Sequence, residues 1–400
     1  MPHTDSTAVR KEPLAGRFTA NGVAALDRSL IERSIATVLG RIERNLDAFG
    51  ERFPAPSSVG GVYASIDNVE WTNGFWTGML WLAYELTGAQ KFRSAAERQV
   101  ESFAHRLRDR INVDHHDLGF LYTLSCVAAH RLTGSDPAKR TALEAARLLL
   151  SRFNPQAGII QAWGDPGDPE QAGRMIIDCN LNLPLLYWAG EMTGEVGFAA
   201  AANSHVAQAA RHIVRDDAST FHTYYLDPVS GKPLRGSTHQ GFADDSCWAR
   251  GQAWGIYGFP LAYRHNNDAG LIELAKKLAN YFLNRLPEDA ICCWDLCFTS
   301  GYYERDSSAA AIAACGLLEI AQVLPLADAE RSAYERAAWT IVSELSRHYL
   351  PEVGDLGNGV LRHAVYHMPK RIGVDESCIW GDYFFLEALV RLQRPWVPYW

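Results

Sequence analysis

Three short clusters hold the residue types that could do chemistry. Met175-Ile176-Ile177-Asp178-Cys179-Asn180 sets one carboxyl among apolar neighbours. Loss of hydration penalises the charged form, so such a carboxyl rises in pKa and becomes a usable proton donor near neutral pH. Its position ahead of the helical run from Leu181 equally fits an ordinary helix cap, and both readings stand at this point. His115-His116-Asp117 offers a second carboxyl. Neighbouring histidines at a helix start point in different directions and no partner follows at three or four residues, so His116 is expected to hydrogen-bond rather than ligate metal. Asp117 is again either a cap or a second functional carboxylate. Between Ser246 and Tyr263 the only charge is Arg250, flanked by Trp248 and Trp254. A buried cation needs a partner, which is Asp244, Asp245, another carboxylate or an anionic substrate.

These clusters need elements to bring them together. Amphipathic runs at 26–49, 92–108, 138–153, 198–215, 271–286 and 328–350 alternate with runs that are apolar all round at 71–88, 118–134, 181–194, 246–263, 307–323 and 377–392. An all-apolar helix is covered on every side, and six of each type suit two concentric rings. Leu/Met-Thr-Gly endings at Gly88, Gly134 and Gly194 act as helix stops. The pattern predicts an all-α fold: a single (α/α)6 barrel over residues 21–400, six inner and six outer helices, after a loose segment 1–20. All six inner N-termini then face one mouth, where Trp71, His116, Asp117, Asp178 and Arg250 converge and helix dipoles favour anions. Long connections at 154–173 (with Trp163), 220–241 (read as a β-hairpin) and 350–374 lead to the same end. Trp71, Trp76, Trp163, Trp248 and Trp254 are all expected on or beside this opening. Tryptophan faces near a polar cleft suit sugar rings.

Composition excludes other classes. A formal net charge of −8 with no basic stripe argues against nucleic acid. No basic-then-apolar leader is read at the N-terminus, and no run reaches about 18 apolar residues, so a cytoplasmic protein with no membrane partner is expected. The eight cysteines are read as reduced; Cys292, Cys293 and Cys297 lack zinc spacing. Nucleophile-elbow, P-loop and dinucleotide motifs are absent, and neither metal nor cofactor is expected.

Longer blocks carry a family resemblance. Trp71-Thr72-Asn73-Gly74-Phe75-Trp76-Thr77-Gly78, His115-His116-Asp117-Leu118-Gly119-Phe120, Ile177-Asp178-Cys179, Gly236-Ser237-Thr238-His239-Gln240-Gly241, Asp245 to Gly255, Gly373-Val374-Asp375-Glu376-Ser377 and Ile379-Trp380-Gly381-Asp382-Tyr383 resemble the unsaturated glucuronyl hydrolases, glycoside hydrolase family 88. The resemblance implies an enzyme that removes a 4,5-unsaturated glucuronic acid from the non-reducing end of lyase-generated oligosaccharides by hydration. It implies Asp178 as general acid/base, Asp117 as the second carboxylate, and Trp71, His116, Trp163, His222, Gln240, Trp248, Arg250 and Trp254 around the sugar. The Ser/Ser/Lys sulfate pattern of some members is missing from Tyr366 to Gly373. Lys370 and Arg371 there are either a sulfate contact or a solvated basic turn. The alternatives are an unsaturated rhamnogalacturonyl hydrolase of pectin fragments and a non-catalytic sugar-binding scaffold. The sequence leaves the oligomeric state open.

Overall fold

The computed structural model describes residues 9–19, 26–168, 171–352 and 354–400. Twelve helical segments alternate around a ring. The outer ones are Arg28–Phe49, Gln90–Arg108, Asp136–Leu150, Val196–His212, Ala269–Asn284 and Ala329–Glu344. Each exposes a charged face and buries an apolar one, as its periodicity requires. The inner helices include Asn73–Thr87, Ala249–Asn266, Ser307–Val323 and Ile379–Gln393, buried on all faces over most of their length. Two inner segments are irregular. One runs as Leu118–Tyr122, a π turn over Thr123–Val127, then Ala128–Thr133. The other begins as a 3-10 turn, Ile177–Leu181, and continues as Pro184–Thr193.

Each inner segment packs on the next and the last returns to the first, which closes an (α/α)6 barrel. Small residues allow this close approach: a Cβ at Gly74 would stand 2.1 Å from the Phe120 carbonyl oxygen, and one at Gly119 would stand 2.2 Å from the Cα of Asn182. Gly88, Gly134 and Gly194 take left-handed φ values of 67°, 72° and 74° as expected stops. In the C-terminal halves of the inner helices Ser307–Val323 and Ile379–Gln393, Arg391 sits between Glu319 and Glu387 at 2.9 and 3.0 Å. The Trp400 indole donates to Glu387 as well, so the barrel's core is tied by a buried charge network.

The strands are short antiparallel pairs in the connections. Arg174–Ile176, Thr223–Leu226 and Pro233–Ser237 form a three-stranded sheet, which contains the expected hairpin, and Ala364–His367 pairs with Ile372–Glu376. Residues 9–19 correct the expectation of a loose start. Glu12 pairs with Arg285 at 3.0 Å, Arg17 donates to the Pro287 and Leu286 carbonyls, and Phe18 is buried. Only one helical turn, Gly16–Thr19, forms there, too short to leave a periodic signal. Residues 1–8 and 20 lie outside the described residues. Among the described residues no helix is long and apolar enough to cross a membrane.

Candidate active site

Asp178 lies within the first turn of Ile177–Leu181, whose N-cap is Ile176. Its side chain caps nothing, and Oδ1 is buried without a hydrogen-bond partner. Asp117 does hold the N-cap position of Leu118–Tyr122, yet its carboxylate makes no capping bond. Both carboxyls are therefore free of the structural duty that sequence alone allowed.

His116 stands between them. Its Nε2 is 3.4 Å from Asp117 Oδ1 and 3.4 Å from Asp178 Oδ1. Asp117 Oδ2 also lies 3.2 Å from His115 Nδ1. Burial works against an imidazolium, but the two carboxylates outweigh it and hold the His116 pKa well above normal. Burial likewise works against an Asp117 anion, but His116 and His115 bring its carboxyl well below the usual range. Asp178 goes the other way. Its desolvation, reinforced by the Asp117 charge, exceeds the pull of His116 and Arg250, and its pKa is raised to about 6. The pattern is a fixed ion pair beside a carboxyl that can hold or release a proton near neutrality. Donor atoms of His116, Asp117 and Asp178 lie within 4.8 Å of one another. His116, held charged in this setting, supplies a positive charge beside both carboxylates.

These groups line a cavity of ≈ 190 Å³ with Trp71, Trp163, His222, Gln240, Trp248, Arg250, Trp254 and Tyr366. His222 Nδ1 accepts the His239 backbone N–H at 3.1 Å, which places its proton on Nε2. Burial, with His239 and Arg250 nearby, keeps this ring neutral. Arg250 finds its carboxylate in Asp306, at 3.3 Å, and not in Asp244 or Asp245. It also donates to the carbonyls of Val365 and Tyr366 and to Gln240 Oε1. Its guanidinium lies between the Trp248 and Trp380 rings at 4.4 and 4.8 Å.

Three buried or part-buried arginines at the ends of outer helices hold the loops that carry these side chains. Arg106 donates to the carbonyls of Glu70, Ile111 and Asn112 and to Asn68 Oδ1, gripping the connections to both Trp71 and His116. Arg152 donates to the carbonyls of Gln161 and Gly164, on either side of Trp163. Arg215 donates to those of Asp244 and Ser246, just before Trp248.

Trp76 is a correction: it is 1% exposed and meets the outer-helix Phe49 edge-on at 5.3 Å, so it is core. Position 76 faces the outer ring, and residue type alone does not tell the two faces of a fully buried helix apart. Lys370 and Arg371 lie in the exposed turn after Ala364–His367 and do not line the cavity; Arg371 faces Glu304 at 3.7 Å. Tyr366, whose hydroxyl accepts from the Trp71 indole at 3.1 Å, was not singled out in the sequence. The available signal was an aromatic residue in the third long connection. Asp375 pairs with His363, and Glu376 bonds Ser58 and the Gly60 and Gly61 backbone, so the sixth inner start braces a loop.

The sequence model described as Glycosyl Hydrolase Family 88 matches residues 47–319. The "Unsaturated chondroitin disaccharide hydrolase" of Streptococcus pneumoniae is 47% identical over 379 residues, 94% of this chain and 96% of that protein. The crystal structure of an unsaturated glucuronyl hydrolase from Streptococcus agalactiae shares a TM-score of 0.95 at 45% identity, covering 98% of this chain and 99% of that one. An aspartate-to-asparagine mutant of the Streptococcus agalactiae protein, complexed with dGlcA-GalNAc6S, matches with a TM-score of 0.88 at 43% identity over 98% and 99% of the two chains.

Proposed function

The chain belongs to glycoside hydrolase family 88, and on that premise we propose that it releases the 4,5-unsaturated glucuronic acid at the non-reducing end of lyase-generated, glycosaminoglycan-type oligosaccharides. The observation that carries this reading is Asp178: a carboxyl with a pKa near 6, beside the Asp117–His116 ion pair, facing a cavity with room for about one sugar ring. Protonated Asp178 delivers its proton to C4 of the vinyl ether, and positive charge gathers at C5 and the ring oxygen. Water adds at C5 and gives its proton to the Asp178 carboxylate, which restores the acid. The product is a hemiketal, which opens and releases the neighbouring sugar.

Carbon is a poor base, so the donor has to arrive protonated, and burial next to the Asp117 anion supplies that condition. Asp117 holds ring hydroxyls and maintains the repulsion that keeps Asp178 protonated. The neutral His222 and the Gln240 amide offer hydrogen bonds to hydroxyls, Arg250 and charged His116 face the uronate, and the tryptophans cover the ring's C–H faces. The relatives' names and the dGlcA-GalNAc6S ligand of the Streptococcus agalactiae mutant support this substrate class. The eight free cysteines, all buried except Cys297, support a cytoplasmic location.

The test follows loss of the ultraviolet absorbance of the conjugated double bond on unsaturated disaccharides from chondroitin, hyaluronan, heparin and rhamnogalacturonan. Turnover of the glucuronyl disaccharides is expected. Turnover of the rhamnogalacturonan product alone would overturn the substrate assignment.

A further inference from the structure

Outside the cavity, the three-stranded sheet carries a row of side chains to which the hydration chemistry gives no part. Arg174 pairs with Tyr225, and Tyr225 with Arg235, directly across the strands, so the three share one face. The Arg174 guanidinium carbon is 4.7 Å from the Trp163 ring and 5.5 Å from the Tyr225 ring, and that of Arg235 is 4.4 Å from Tyr225. Trp163 lines the cavity and is 36% exposed. The row therefore begins at the mouth and leads away from it.

Among the described residues its charge has no ion-pair partner. Arg174 Nε is buried without a hydrogen-bond partner, and among the described residues neither arginine meets a carboxylate within 4.0 Å. A third basic side chain, His239, lies 5.5 Å from the Trp163 ring, and after burial the strongest influence on its basicity is the field of Arg174. A chain of formal net charge −8 thus keeps two guanidiniums stacked on aromatic rings beside its cavity. Stacked guanidinium and aromatic faces suit a sugar that carries an anionic group.

A cavity of ≈ 190 Å³ holds about one ring, so the rest of an oligosaccharide has to leave across the mouth. We propose that the row Arg174, Tyr225 and Arg235, which adjoins Trp163 at the mouth, is a second binding station for the sugars beyond the cleaved bond, with the two arginines taking a sulfate or carboxylate. The inference rests on the reading of the cavity as the site of the terminal unsaturated uronate.

The experiment compares the parent protein with Arg174→Gln, Arg235→Gln and the double variant. The substrates are an unsulfated unsaturated disaccharide, its sulfated counterpart and an unsulfated unsaturated tetrasaccharide with a second uronate. The double variant should lose about ten-fold in kcat/KM, mostly through KM, on the substrates bearing an extra anionic group, and keep its rate on the unsulfated disaccharide. A loss confined to the sulfated disaccharide identifies sulfate as the ligand, and one confined to the tetrasaccharide identifies the second carboxylate. Unchanged kinetics on all three, or an equal loss on all three, overturns the proposal. A parent protein inactive on every substrate would instead refute the proposed function. Binding of a sulfated tetrasaccharide, read by tryptophan fluorescence, then decides the row alone: about ten-fold weaker binding in the double variant supports it, and equal binding overturns it.

Discussion

Asp178→Asn should abolish turnover and, in the same step, stabilise the fold at neutral pH. Asparagine resembles the protonated carboxyl in shape and carries no charge, so it removes only the cost of ionising this side chain in its pocket. That cost follows from a pKa of about 6 in the folded chain against about 4 in an unfolded one. Because the folded value is raised, Asp178 favours the fold fully below pH 4, and this contribution is lost as pH rises through 6. At pH 8 the difference is two decades of proton affinity, about 3 kcal/mol. The side chain keeps 18% exposure, and solvent screening lowers the figure to about 2 kcal/mol. At pH 5 about half remains. An unfolding entropy of about 2 cal/mol/K per residue turns these into a Tm gain of about 2–3 °C at pH 8 and about 1 °C at pH 5. Calorimetry of both proteins from pH 5 to 8 at one ionic strength measures the gap. A gap that does not widen with pH, or a variant less stable than its parent at pH 8, would refute the raised pKa. Substantial turnover in the variant would remove Asp178 as the proton donor.

Asp117→Asn takes away the anion that helps to keep Asp178 protonated, so the alkaline limb of the kcat/KM profile should move to lower pH while kcat falls by about 100-fold or more; an unshifted limb would mean that Asp117 acts only by holding the substrate. Arg106→Met leaves at least three loop carbonyls without their donor and should cost about 3–5 kcal/mol in chemical denaturation. A loss below about 1 kcal/mol would show that the Trp71 and His116 loops hold their shape unaided.

The twelve-helix alternation was legible because it rests on burial periodicity, and periodicity survives without knowledge of neighbours. The eight side chains expected around the sugar, and both carboxyls, do line one cavity. What the sequence left open were questions of direction. Asp178 and Asp117 each sit where a helix begins, and only the geometry shows that neither carboxylate caps one. Arg250 needed a carboxylate, but Asp306 lies 56 residues along the chain, beyond any spacing rule. Trp76 and Trp71 share a block of sequence, yet one faces the outer ring and the other the cavity. Tyr366 and the packed residues 9–19 escaped for a related reason: strand pairs of a few residues and a single helical turn carry too little pattern to show which way a side chain points.

The arginine grips on the mouth loops have an evolutionary consequence. Arg106, Arg152 and Arg215 hold mainly backbone carbonyls, and a carbonyl is present whatever residue bears it. Side chains in those loops can therefore change with the substrate while the loop path stays anchored to the outer ring. The scaffold separates where a recognition residue stands from what that residue is, so new sugar preferences can be tried one position at a time without rebuilding the barrel.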